Sequence, residues 1–312
     1  MISNLIDTLQ EKAAPYIKMM RLKDQTIGMI VFTLGLLDAR YFNLTAILQV
    51  FIGLLSLAIA CFIINDFVDS KDADQHSYRS RIKNGEISIK IVIIIWSILT
   101  IIGSIILFTY GLFWQWAVLV FLNTFYSLPP LRFKARFFLD IFSLFLVALI
   151  TYSIPFTLNH RPFLSVFNPA FLTLALFFSV GEFILLIMDF ESDQKGGLKN
   201  TGVVLGYTWL IRLAKIALIT SAVGFAYLAY THQYWWYYPM IIAIPYFGYA
   251  VGRLREAVYL PENVARPTLN ISFTRAITTM ALITFYLLAA FVWNYLNYNK
   301  IITWPQIQSL FR

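Results

Sequence analysis

The chain has 312 residues, 59% of them hydrophobic and 13% charged, with a formal net charge of +8. A soluble domain carries about 25% charged residues. A chain this apolar, with a mean hydropathy of +0.70, cannot cover itself with polar surface in water. The composition therefore excludes an ordinary water-soluble globular protein and makes the bilayer the expected solvent. A lone cysteine, Cys61, excludes an intrachain disulfide and a Cys-rich metal site, and the three scattered histidines, His76, His160 and His232, argue against a His-based zinc site.

Taken in chain order, residues 1–16 open with a weakly amphipathic stretch, expected to lie as a helix on the membrane surface. Its charged residues, continuing to Asp24, argue against a conventional cleaved signal peptide. Apolar runs then predict nine transmembrane helices at about 17–37, 44–66, 87–110, 114–128, 137–158, 170–190, 204–230, 235–252 and 273–297. The fourth is cut short by Pro129-Pro130. Unpaired backbone is costly in lipid, so the fold class is all-α, a polytopic membrane helix bundle. No low-complexity linker interrupts it, and residues 1–312 read as a single domain.

With nine spans, 20 of the lysines and arginines fall on one side and only Arg40, Arg161, Lys300 and Arg312 on the other. The positive-inside rule then places the N-terminus in the cytoplasm, in a cell inner or plasma membrane, and the C-terminus outside. The aromatic residues at 234–238, with Trp114 and Trp116, fall on the outer side as an interfacial belt. The positive charge thus reports topology, not a nucleic-acid partner.

The acids are as lopsided as the bases. Asp66, Asp69, Asp72 and Asp74 end the second span, and Asp189, Glu191 and Asp193 end the sixth. Both groups open cytoplasmic loops, 66–86 and 189–203. Like charges this close repel unless a cation compensates them. Hard oxygen ligands suit Mg²⁺, which uses one or two carboxylates together with substrate phosphates. On a helix with Asn65 at 0°, Asp69 falls at about 40° and Asp72 at about 340°, while Asp66 lies near 100° and Asp74 near 180°. Asp189 and Asp193 are likewise about 40° apart, with Glu191 pointing away. Two such helix ends, facing one another, would clamp a diphosphate between metal ions. Solvated helix ends paired with nearby Arg and Lys are the plainer reading of the same acids. Glu182 lies inside the sixth span, only about 20° from the Asp189 face. A carboxylate at membrane depth is costly, and it is expected either to line an acceptor cavity as a catalytic base or to make an interhelical hydrogen bond. Asp140, opening the fifth span, reads as a helix N-cap.

At these residues the chain resembles the UbiA superfamily of intramembrane prenyltransferases. Asn65-Asp66-Phe67-Val68-Asp69 is similar to that family's N-D-x-x-D-x-x-x-D, and Gly85-Glu86-Ile87-Ser88 to its G-x-I-S. Asp189 to Gly197 resembles D-x-E-x-D-x-x-x-G, continuing through Thr201 to Leu205-Gly206. Tyr126 to Lys134 resembles Y-S-x-P-P-x-R-x-K. Arg21 and Gly28 match part of a first-helix R-x-x-K-P-x-G, with Asp24 and Gln25 where that pattern has Lys and Pro. The third aspartate of the first motif would fall on Ala73, and Asp72 is expected to replace it.

The resemblance implies a UbiA-like, isoprenyl-synthase-like arrangement around a central cavity, with transfer of an isoprenyl group from its diphosphate to a lipophilic or aromatic acceptor. Asn65, Asp66, Asp69, Asp72, Asp189 and Asp193 are the implied Mg²⁺ ligands, with Asp69 and Asp193 central to catalysis; Glu182 joins them as a catalytic candidate from its position in the span alone, not from the resemblance. Arg132, Lys134, Tyr126, Lys195, Lys199, Arg21 and Arg81 are the implied diphosphate contacts. A quinone-type aromatic is the expected acceptor. Two alternatives share the composition. One is a polyprenyl-phosphate phosphoribosyl transferase on the same scaffold, which His76, eleven residues after Asn65, resembles faintly. The other is a membrane transporter.

Overall fold

The computed structural model describes residues 13–70, 80–231, 235–257 and 262–299. The expected surface helix therefore lies mostly outside the described residues, as do Asp72, Asp74, His76, Arg79 and His232. Among the described residues the chain is helical, without a β-strand. In chain order the helices are α1 (Thr26–Ala39), α2 (Leu44–Asp69), α3 (Ile89–Thr109), α4 (Phe113–Phe125), α5 (Leu139–Leu158), α6 (Pro169–Met188), the short α7 (Phe190–Lys195), α8 (Thr201–Tyr230), α9 (Tyr238–Ala257) and α10 (Glu262–Tyr298).

Each apolar run read from the sequence overlaps one of these helices. Six are long and apolar enough to cross a bilayer: α2, α3, α5, α6, α8 and the Thr278–Tyr298 part of α10. Helices α1 and α4 are shorter apolar segments. Lipid is visible as the intended solvent on α3, where Ile94, Ile98, Ile101 and Ile105 form one stripe at helical spacing and are each 50% or more exposed. Such a stripe on a protein in water would drive aggregation. The chain is an integral membrane protein.

The chain divides into two compact units. One comprises Met1–Gln25 and Leu44–Arg136; the other comprises Thr26–Asn43 and Phe137–Arg312. In the first unit α2 packs on α3 through a pair of glycines. A Cβ on Gly103 would stand 2.8 Å from the Gly53 carbonyl oxygen and 2.7 Å from Leu57 Cγ. Close backbone approach through small residues is how helices gain van der Waals contact where lipid removes the hydrophobic drive.

The second unit uses the same device twice. A Cβ on Gly35 of α1 would lie 2.7 Å from the Tyr152 carbonyl oxygen of α5, and one on Gly224 of α8 would lie 2.4 Å from Thr173 Oγ1 of α6. At the end of α1 the buried Asp38 accepts hydrogen bonds from the Tyr152 hydroxyl, Trp236 Nε1 (2.8 Å) and the Tyr237 hydroxyl (2.7 Å). One carboxylate thus ties α1 to α5 and to the segment before α9, satisfying a polar group that would be costly to bury alone.

Helix α8 starts at Thr201, a few residues before the sequence pattern predicts, because Asn200 caps it by accepting from Val203 N at 2.9 Å. Gly206, at φ 72° and ψ 168°, then interrupts the helical backbone in a region essentially reserved for glycine.

Replacing Gly103 by Leu should wedge α2 and α3 apart. Overpacking of this kind costs about 1–3 kcal/mol, so the melting temperature in detergent should fall by several degrees. Gly28→Ala, with open space around its Cβ position, serves as the control and should leave the melting temperature near that of the parent protein.

Candidate active site

Helix α2 carries the first acid group because its apolar run ends in Asn65, Asp66 and Asp69. The i,i+4 pair Asn65 and Asp69 meets a single ammonium group. Lys134 Nζ donates to Asn65 Oδ1 at 2.9 Å and also bonds the Asp69 carboxylate. Ser127 Oγ donates to the same Asn65 oxygen at 2.6 Å. The loop that delivers Lys134 folds back on the end of α4, with Lys134 N donating to the Tyr126 carbonyl at 3.0 Å. The two residues thus share the Lys134 ammonium, the kind of pairing that the plainer reading of these acids expects, and both Lys134 and Asp69 are largely buried there.

Asp66 points elsewhere, as its angle of about 100° from Asn65 requires. Its side chain is fully buried, and Arg21 grips it with both arms, Nη2 to Oδ1 at 2.6 Å and Nε to Oδ2 at 3.3 Å. This two-point geometry is the strong form of a guanidinium–carboxylate pair. The Arg21 guanidinium also lies 5.3 Å from the centre of the Phe62 ring. Expected at a metal and at a diphosphate respectively, Asp66 and Arg21 hold one another and fasten the N-terminal segment to α2.

Arg132 has left-handed backbone, φ 38°, uncommon for a residue with a side chain. Its Nε is buried and has no hydrogen-bond partner among the described residues. A buried guanidinium N–H is costly to leave unmade, and this one lies on the loop that also delivers Lys134. Arg81 bonds Glu86 at 2.7 Å on the exposed side of the 80–88 turn. All of these residues belong to the first unit.

The second acid group belongs to the second unit. Helix α6 ends at Asp189, whose φ of −92° and ψ of −3° bend the chain. The turn nevertheless continues, with Asp193 N donating to the Asp189 carbonyl at 2.9 Å. The pair therefore keeps its i,i+4 relation. Asn200 Nδ2 donates to Asp193 Oδ2 at 2.6 Å. Lys195 is 77% exposed and only loosely paired with Glu191, at 3.9 Å, and Lys199 is exposed as well. Glu182 is partly buried on α6, with Asp140 and Asp189 as acidic neighbours.

Asp140 differs from expectation. Phe138, not Asp140, is the cap of α5. The Asp140 carboxylate accepts instead from Thr201 N at 2.8 Å and Thr201 Oγ1 at 2.5 Å. Thr201 was read only as part of the motif that continues to Leu205-Gly206, and Asn200 was not singled out, although an Asn-Thr pair after an acidic loop marks a helix start. Among the described residues no three His, Cys, Asp or Glu side chains gather as a ready metal set; the expected Asp72 lies outside them.

Breaking the Arg21–Asp66 pair should deprive a buried carboxylate of its two-pronged guanidinium partner. Arg21→Met should cost about 3 kcal/mol, read as a lowered melting temperature, and Asp66→Asn in the same background should restore much of it.

The profile described as UbiA prenyltransferase family matches residues 27–267. No curated protein matches the chain. Solved structures do match. A UbiA homolog from Archaeoglobus fulgidus bound to GPP and Mg²⁺ is 16% identical over 86% of this chain and 99% of its own, with a TM-score of 0.64. A UbiA homolog from Aeropyrum pernix K1 is 16% identical over 86% of this chain and 98% of its own, with a TM-score of 0.59. A digeranylgeranylglyceryl phosphate synthase is 17% identical over 92% and 99%, with a TM-score of 0.57. At these identities the likeness establishes a common fold.

Proposed function

The chain belongs to the UbiA prenyltransferase family, and on that premise we propose that it moves an isoprenyl chain from a prenyl diphosphate to a lipophilic acceptor of the aromatic, quinone-precursor type, with Mg²⁺ as cofactor. The observation that carries this reading is the convergence of Asn65 and Asp69 on one cation, the Lys134 ammonium. The charge asymmetry of the sequence supports nine crossings with the N-terminus and both acid groups in the cytoplasm. The A. fulgidus homolog solved with GPP and Mg²⁺, and again with DMAPP and Mg²⁺, supports the cofactor and the donor class.

The donor set fits the ion. Taken by itself, the i,i+4 pair Asn65 and Asp69 offers hard oxygens and already attracts a cation; Asp189 and Asp193 offer a second such pair of their own. Asp72 is a further candidate ligand. Bound there, Mg²⁺ would neutralise charge on the leaving diphosphate.

The side chains divide the remaining work. Arg132, with its buried Nε, takes a diphosphate oxygen, and Lys134 moves between the acid pair and the same anion. Tyr126, Arg81, Lys195 and Lys199 are further contacts at the edge. The bond from C1 of the prenyl group to oxygen breaks with its electron pair on the diphosphate. The acceptor forms the new bond to C1 and gives up a proton, which Glu182 accepts. Bulk water must be kept from the allylic cation meanwhile, and apolar spans serve that end.

Purified protein in lipid nanodiscs should release diphosphate from a labelled prenyl diphosphate when Mg²⁺ and an aromatic acceptor are present, and EDTA should stop it. Asp69→Ala and Asp193→Ala should each lower the rate by about 10²–10³-fold. Diphosphate release unaffected by EDTA, or by both substitutions, would overturn the reading. Glu182→Gln should cut turnover by about 10²-fold or more while the donor KM stays near that of the parent enzyme. An unchanged turnover removes Glu182 from the chemistry.

A further inference from the structure

The loop that carries Asp193 is held at its far end by a closed set of hydrogen bonds. Asn200 and Thr201 are both buried, at 3% and 4% exposure, although the loop before them is exposed. The Asn200 amide is used at both ends. Its oxygen accepts from Val203 N at 2.9 Å, and its nitrogen donates to Asp193 Oδ2 at 2.6 Å. The cap assigns the amide orientation, since only the oxygen can accept from Val203 N–H. The N–H₂ is therefore turned towards Asp193 by the start of the helix itself.

One residue on, Thr201 anchors the helix start. Its N–H and hydroxyl both meet the Asp140 carboxylate, at 2.8 and 2.5 Å. Its Oγ1 in turn accepts from Phe138 N at 2.7 Å. Asp140 is 3% exposed, and its Oδ1 also takes Ile141 N at 2.9 Å. The backbone of α8 closes against α6 at the same place, where a Cβ on Gly202 would lie 3.2 Å from the Leu186 carbonyl oxygen. The chain of contacts runs from the first turn of α5, through the start of α8, to one oxygen of Asp193.

We infer that Asn200 is a positioning residue that orients the Asp193 carboxylate for its divalent cation, with Asp140 and Thr201 as the anchor that holds Asn200 in place. The inference rests on the assignment of Asp193 as a cation ligand above. Groups that hydrogen-bond a ligating carboxylate fix its rotamer and bring its second oxygen to bear. Losing such a partner costs typically 10–100-fold in metal affinity. The helix cap and the carboxylate contact belong to different atoms of one side chain, so they can be separated by substitution.

Asn200→Ser does so. Serine caps a helix about as well as asparagine, but its single oxygen is too short to replace the amide nitrogen at Asp193. The test is Mn²⁺ binding to the purified protein by electron paramagnetic resonance, beside its melting temperature without metal. Asn200→Ser should melt within a few degrees of the parent protein yet bind Mn²⁺ about 10–100-fold more weakly, and Asp193→Ala should lose that binding altogether. Parent-like Mn²⁺ affinity in Asn200→Ser, with binding lost in Asp193→Ala, would overturn the positioning role and leave the proposed function standing. Parent-like affinity in Asp193→Ala as well would remove Asp193 as a ligand, and the reading of the site with it. If Asn200→Ser does not accumulate as folded protein, Asn200→Thr, which also caps, carries the same comparison.

Discussion

An aspartate at the end of an apolar helix needs a cation or a set of donors before it can be held there ionised, and the placement of those partners organises much of this molecule. On α2 the three polar residues of one turn are divided between two cations. Asp66 takes Arg21, and Asn65 and Asp69 take Lys134. The first contact is buried and two-pronged, and it fixes where the N-terminal segment meets α2. The second is a lysine, a point charge on a flexible stem, and it can leave its carboxylate more readily than a forked guanidinium can. One pairing is forked and fully buried at its carboxylate, and the other is a single flexible ammonium shared by two side chains.

The second acid group is stabilised differently. Asp193 is met by a neutral amide, Asn200 Nδ2, which orients its carboxylate. The true ion-like burial in that region is at Asp140, whose oxygens are filled by Thr201 and by Ile141 N. Asp38, at the end of α1, is a third solution: aromatic donors from two other segments surround one carboxylate. The buried acids are thus satisfied in different ways, by a guanidinium, by a helix start or by aromatic donors.

Within each unit the helices meet closely. Helices in lipid gain nothing from hiding apolar surface from one another, so α2 and α3 meet where Gly53 and Gly103 let the backbones touch, and α6 and α8 meet where Gly224 accepts Thr173. A site on helix ends inherits the precision of that packing, which loops alone would not provide.

Composition and periodicity were sufficient to read a helical membrane protein, since nothing else satisfies the backbone of apolar runs near 20 residues in lipid. The i,i+4 spacing of Asn65 with Asp69 and of Asp189 with Asp193 was likewise legible, because a helix turns local spacing into a shared face. Local sequence holds no such rule for partners 45 residues apart, as with Arg21 and Asp66, or 61 apart, as with Asp140 and Thr201. Helical spacing already set Asp66 on a different face from Asp69, but only the fold brought Arg21 to it. Asp140 looked like a helix cap until α8 presented its first N–H groups. The kinds of residue available for the chemistry were thus set by the sequence. Which donors each carboxylate meets was decided by tertiary packing, because those donors come from distant parts of the chain.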